Sequence, residues 1–269
     1  MRSTSELAVN LETPGVTWSV TVLDCSTSRS FVQSPDSVLS SASVGKLLLL
    51  AEAARQLVAG DLDADALLQR TPDDSVSDSG LWQHLHTDSL SVTDAAVLVA
   101  AVSDNLATNV LLRTVGLARV QQLGEELGFS SFQLHDRVRD ARTREHPPRL
   151  SSASAHDLVQ YFDLLEHDRL VSAPVSAMVG RWLSLNADLS MVASAFSCDP
   201  LAHSHSALLN KTGTDDGVRA DCGRVVGDRG AVVYAAIANW NPDAGDRVDG
   251  VLGDMARIGA FVRSLAGSV

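Results

Sequence analysis

Lysine is almost absent from this chain: of 269 residues, 21 are basic, and 19 of those are arginine, leaving only Lys46 and Lys211. Basic charge is scarce as a whole, since 33 acidic residues set the formal net charge at -12. That balance excludes a nucleic-acid binder, which needs a basic face for phosphates. Long apolar runs are also missing. Runs such as Leu47 to Ala51 and Ala95 to Val102 fall far short of the ~20 residues that cross a bilayer, so no membrane span is expected. The three cysteines, Cys25, Cys198 and Cys222, are odd in number and lack paired metal-type spacing. They read as buried thiols in a reducing compartment rather than a disulfide framework or metal site. The start, Met1 to Ala8, shows no apolar leader core, which reads as cytoplasmic as written, or secreted if a leader has been removed. What is present is a 45% hydrophobic composition, enough for a full core in one large domain or two joined ones.

The periodicity divides the chain. Val16 to Leu23 alternates and is β-branched, so it reads as a strand with Arg29 to Gln33 as hairpin partner. From Ser43 the pattern turns helical and stops at Gly60. Helices are then expected at Val92 to Asp104, Ala107 to Val115, Arg119 to Leu127, Ser154 to Leu165 and Ala173 to Leu185. Strands return at Leu208 to Thr212, Arg219 to Val226 and Ala231 to Ala238. A closing amphipathic helix spans Asp246 to Leu265. The expected class is α+β: residues 1–42 and 206–269 supply an antiparallel sheet with its terminal helices, and 43–205 form an inserted helical subdomain, with the active site in the cleft between.

Both lysines sit in short patterns that carry chemistry. Ser43-Val44-Gly45-Lys46 places a hydroxyl and an amine one helical turn apart, at a helix start where backbone N–H groups favour developing negative charge. That is how a weak alcohol becomes a nucleophile. Alone this is a poor signal, because the chain holds 32 serines and a capping serine before an exposed lysine explains it as well. Ser103-Asp104-Asn105 and Lys211-Thr212-Gly213-Thr214 follow in order, and the three together are far rarer than any one.

The trio S-x-x-K, S-D-N and K-T-G resembles the class A β-lactamase and penicillin-binding protein superfamily. The order of strands, helical insert, strands and closing helix extends the resemblance over nearly the whole chain. It implies a β-lactamase-like fold with a five-stranded antiparallel sheet flanked by helices. It also implies a serine hydrolase that opens a β-lactam through a Ser43 acyl-enzyme. Lys46 would take the proton, Ser103 would pass it to the leaving nitrogen, and Asn105 would hold a side-chain amide. Lys211, Thr212 and Gly213 would form the carboxylate side, and Thr214 N–H would join Ser43 N–H in an oxyanion hole. Arg219 would add charge there, with a surface strand position as the alternative, and Trp82 would gate the cleft or pack in the core. The substrate implied is a small anion; no cofactor, metal, nucleic acid or membrane partner is expected, and the assembly is a monomer or dimer.

The sequence departs from that family in the loop that supplies the deacylating water. The stretch Leu134 to Leu150 carries five arginines, and Arg142 stands near the place of the family's glutamate, with no asparagine after it. Glu145, Asp140, His135 and His146 remain as candidate bases, each also readable as a surface ion pair or solvated side chain. Without a base, deacylation is expected to be slow or atypical. Two further readings stay open: an esterase, amidase or peptidase on a non-antibiotic substrate, and a non-turnover penicillin-binding sensor. His203 and His205 are candidates for one side of the cleft.

Overall fold

The structure, a computed structural model, describes residues 3–200 and 207–269. Strands β1 (Ser3–Glu6), β2 (Val16–Asp24) and β3 (Arg29–Gln33) open the chain, and β4 (Leu39–Ser40) leads into a 3₁₀ turn over Ala42–Gly45 and helix α1 (Lys46–Ala59). A ribbon of β5 (Leu67–Gln69) and β6 (Ser89–Ser91) precedes α2 (Val92–Val102), α3 (Asn105–Val115) and α4 (Leu117–Glu126). Short strands β7 (Gln133–Leu134) and β8 (Ser151–Ala153) bracket the arginine-rich loop, followed by α5 (Ala155–Glu166) and α6 (Ala173–Leu183). The chain ends with β9 (Leu208–Asp215), β10 (Val218–Gly227), β11 (Gly230–Trp240) and α7 (Val248–Ala266).

The main sheet runs β1-β3-β2-β11-β10-β9. Five of its strands are the antiparallel set expected from the sequence. The sixth, β1, lies parallel to β3 at the edge. Its four residues, Ser3 to Glu6, lack the β-branched alternation that marks β2, which is why the pattern does not reveal it. The ribbon β5–β6 and the three-stranded group β4-β8-β7 were likewise too short to show a period.

Period-2 alternation on β11 sorts its side chains between two cores. Val233, Ala235 and Ile237 pack with the helices α1 to α6; Val232, Tyr234, Ala236 and Ala238 pack with α7 and the turn at Val192–Phe196. The sheet is therefore covered on both faces, as its nearly continuous apolar β11 sequence demands. From α7, Val251, Met255, Ile258 and Val262 are fully buried at helical spacing, and truncating one to alanine would cost about 2–5 kcal/mol for the larger side chains. Trp82 is also fully buried, its indole N–H donating to Thr87 O at 3.0 Å. Thus Trp82 belongs to the core and does not gate a cleft. Of the thiols, Cys222 is buried, Cys25 half-buried and Cys198 exposed, so the expectation of buried thiols fails at Cys198.

Candidate active site

Ser43 lies on the 3₁₀ turn, and Lys46 is the first residue of α1. The preceding Ala42 has φ +46°, a left-handed value costly for a residue with a Cβ. Neighbouring glycines make room for this turn. A Cβ at Gly45 would collide with the Ser151 side chain, and one at Gly213 would collide with Ser41 O and stand 3.2 Å from Ser43 N. Glycine in the K-T-G pattern is thus a close-approach residue, which lets β9 lie against the nucleophile turn. Ser103 caps α2 in a left-handed conformation, φ +55°, and turns the chain directly into α3. Asp104 secures that corner: its carboxylate accepts from Ala107 N at 2.8 Å, capping α3, and from Leu81 N and Trp82 N at 2.7 and 2.8 Å. Carboxylate caps of this kind contribute about 1 kcal/mol.

These elements converge two buried amines on one hydroxyl. Lys46 Nζ donates to Ser103 O at 2.7 Å, Asn105 Oδ1 at 2.7 Å and Ser103 Oγ at 3.2 Å. Lys211 Nζ reaches the same Ser103 Oγ at 3.0 Å and Thr212 O at 2.8 Å. Both lysines are fully buried. Burial, followed by the repulsion of Lys211, pushes the Lys46 amine well below its ordinary value. Burial also lowers Lys211, to about 8, with Asp188 as the largest opposing influence. Lys46 is therefore poised towards a neutral base, while Lys211 keeps most of its charge at neutral pH.

Ser43, Ser103, Asn105, Thr212 and Thr214 line a cavity of about 770 Å³. Arg139, Asp140 and Arg142 come from the loop onto the same cavity. Arg142 does not offer a free charge: it donates to Asp136 at 2.7 Å, to Pro147 O and to Arg137 O, and Arg139 binds the same Asp136 carboxylate. Asp140 is exposed to the cleft, and the Ser77 hydroxyl and then the Ser77 N–H hold its carboxyl below the usual range. Glu145 is exposed and does not line the cavity, because the loop's turn at Thr143 to His146 points it outward. His146 bonds to Thr143, and His135 bonds Ser152 Oγ at 2.9 Å, its imidazole lowered by burial and then by Arg149. Arg219 is also aside from the main cavity: its guanidinium donates to Asp215 O and Val218 O, stacks 5.8 Å from the Trp240 ring and lines a neighbouring pocket. His203 and His205 lie outside the described residues.

The sequence reading missed the wall below Lys211. Asp188 lines the cavity, and although burial alone would raise it, hydrogen bonds from the Thr212 and Ser190 side chains hold its carboxyl low. Behind it, Asn186 donates to Asn210 Oδ1 at 2.8 Å and Asn210 donates to Asp221 at 3.1 Å. Burial pushes Asp221 up to about 7. Nothing in spacing or periodicity marks Asp188, which sits between α6 and β9 without a motif. Among the described residues no group of three or more histidines, cysteines or carboxylates could hold a metal ion.

A model of the beta-lactamase enzyme family matches residues 3–261. The "Beta-lactamase regulatory protein BlaB" of Streptomyces cacaoi is 28% identical over 153 residues, 56% of this chain. That match spans about half of the curated relative's own length, 49%. A β-lactamase structure from Sphaerobacter thermophilus superposes with TM-score 0.84 at 22% identity, covering 96% of this chain and 94% of that one. A structure of PBP-A gives TM-score 0.79 at 17% identity over 94% and 91% of the two chains. A mutant of PBP-A, solved as an acyl-enzyme complex with penicillin G, gives 0.78 at 18% identity over 93% and 90%. At these identities the structural likenesses speak for the fold.

Proposed function

This chain belongs to the beta-lactamase enzyme family, and from that premise we propose that it is a serine hydrolase of β-lactamase type that is acylated at Ser43 and releases the acyl group slowly. The observation that carries the reading is the pairing of a desolvated Lys46 amine with Ser103, shared in turn with Lys211. Acylation then balances as follows. The Ser43 Oγ–carbonyl bond forms, the lactam C–N bond breaks, and the Ser43 proton passes by Lys46 and Ser103 to the leaving nitrogen. The N–H groups of Ser43 and Thr214 receive the oxyanion, an interaction whose loss typically costs about 10²–10³-fold. Slow release is what the loop favours, since in the sequence Arg142 stands near the place of the family's water-activating glutamate and its guanidinium is tied to Asp136. The BlaB likeness, to a protein described as regulatory, favours the same outcome.

A fluorescent penicillin and a chromogenic cephalosporin, followed by intact-mass measurement, test this reading. A persistent adduct on Ser43, absent in Ser43→Ala, is the expected result; no adduct and no turnover with either donor would overturn it. A second reading, real β-lactam turnover, draws on Asp140, whose ionised carboxylate lines the cavity. Rapid turnover that Asp140→Asn abolishes while leaving the adduct intact would establish that reading instead.

A further inference from the structure

The side of the cleft where the K-T-G residues would receive a carboxylate is lined by a carboxylate of the chain itself, that of Asp188. Asp188 lines the same cavity as Thr212 and Thr214, its carboxylate fixed there by the Ser190 hydroxyl at 2.7 Å and the Ser190 N–H at 3.2 Å. Lys211, the cation beneath, has Asp188 as its largest acidic influence and spends two donors on Ser103 Oγ and Thr212 O. Arg219 is turned to Trp240 and the carbonyls of Asp215 and Val218, and Arg139 and Arg142 are both committed to Asp136. Around the same cavity stand three further carboxylates, those of Asp78, Asp140 and Asp215.

We propose that Asp188 is a specificity-determining residue that directs Ser43 towards acyl donors with a neutral or cationic group where a carboxylate would bind, and against anionic donors. This rests on the acyl-enzyme reading above and revises the anionic substrate expected from the sequence. An incoming carboxylate at Thr212 must share the field of Lys211 with Asp188, so it meets a like charge within the cleft. A quaternary ammonium or an amide meets Asp188, Asp215 and Asp78 without that repulsion.

Three thioesters of one acyl group test the proposal: hippuryl esters of thioglycolate, of thioglycolamide and of thiocholine, which differ in the charge of the leaving thiol. In each, the Ser43 Oγ–acyl bond forms and the acyl–sulfur bond breaks, with the Ser43 proton leaving on the thiol. Acylation rates are read by intact mass and thiol release, each divided by that donor's hydroxide-catalysed hydrolysis rate. The expected order is thiocholine, then amide, then thioglycolate, with at least about tenfold between the first and last. Added salt should narrow that ratio. Asp188→Asn should bring the ratio down about tenfold and Asp188→Glu should largely keep it, whereas the remote surface change Asp61→Asn should not move it. A carboxylate donor that acylates the parent as fast as the cationic one would overturn the proposal. So would an Asp188→Asn variant, folded by circular dichroism, with the parent's ratio. Should no β-lactam be turned over or leave an adduct on Ser43, the acyl-enzyme reading itself fails and this proposal falls with it; β-lactam adducts without the charge order sink the specificity alone.

Discussion

The wall of the cleft that holds Lys46, Ser103 and Lys211 is built from the ends of α1, α2 and the strand β9, whereas the loop between β7 and β8 that lines the same cavity has no regular element. The first wall is buried and its side chains bond to one another. The second is held by one carboxylate, Asp136, between two arginines, and its outer residues are exposed. This difference separates two chemical steps. On the proposed reading, making an ester at Ser43 draws on a rigid, buried set of amines and hydroxyls, which the regular elements hold together. Breaking the ester needs a base beside a water, and an arginine-stapled loop does not provide one at Arg142.

The sharpest way to break the comparison is to strike one wall and measure both steps. Lys46→Ala should lower the acylation rate constant by about 10³-fold, the size of a lost general base, in stopped-flow measurements with a fluorescent penicillin. An effect under tenfold would mean that the buried amine is not the base. Next in size is Gly213→Ala. The added Cβ collides with Ser41 O and must push β9 from the nucleophile turn. A shift near 1 Å costs about 10²-fold in rate, and overpacking costs roughly 1–3 kcal/mol in a denaturant melt. Normal acylation with reduced stability would show that β9 can retreat without disturbing the site.

Both effects could be anticipated in part from the sequence, and the reasons differ by residue. Lys46 and Lys211 stood out because arginine carries the other positive charges, and because each lies in a short pattern on a strongly periodic element. The long elements, α1 with its Gly60 stop and β9 to β11, were legible because their apolar spacing covers many residues. Strand β1 and the β4-β8-β7 group were not, since two to four residues carry no period. Trp82 and Arg219 were misplaced or left open for a related reason: which way a side chain turns depends on long-range partners, Thr87 O for the indole and the Trp240 face for the guanidinium. Asp188 was invisible because it joins the cavity only through the folding of the α6–β9 connection, which carries no motif.

A smaller effect comes from pH. On the proposed reading Lys211 serves the cleft as a cation, and burial lowers its amine to about 8, so acylation should fall about tenfold per pH unit above that point. The folded value lies below the ordinary lysine value, so the stability contributed by this group is lowest where both states are protonated and rises as pH climbs from about 8 towards 10.5. Activity and this part of the stability therefore move in opposite directions. A thermal melt that holds while the rate falls supports titration of Lys211, and a melt that collapses in parallel would assign the loss to unfolding.

Smaller still are changes confined to the loop. Arg142→Ala removes a partly buried guanidinium from Asp136, Pro147 O and Arg137 O. Arg139 still pairs with Asp136, so the cost should be about 1–2 kcal/mol, between surface and buried ion pairs, with acylation within about threefold of the parent. Glu145→Gln should do least. Its carboxylate is exposed and outside the cavity, so acylation, release and stability should all stay within a factor of about two, the range of a surface substitution away from special contacts. Release is the step to watch, because the proposed acylation uses no residue of this loop. If Glu145→Gln slowed release tenfold with the adduct forming at the parent's rate, the loop would have to swing its outer turn into the cleft after acylation. The division between a built wall and a stapled one would then describe only the unacylated protein.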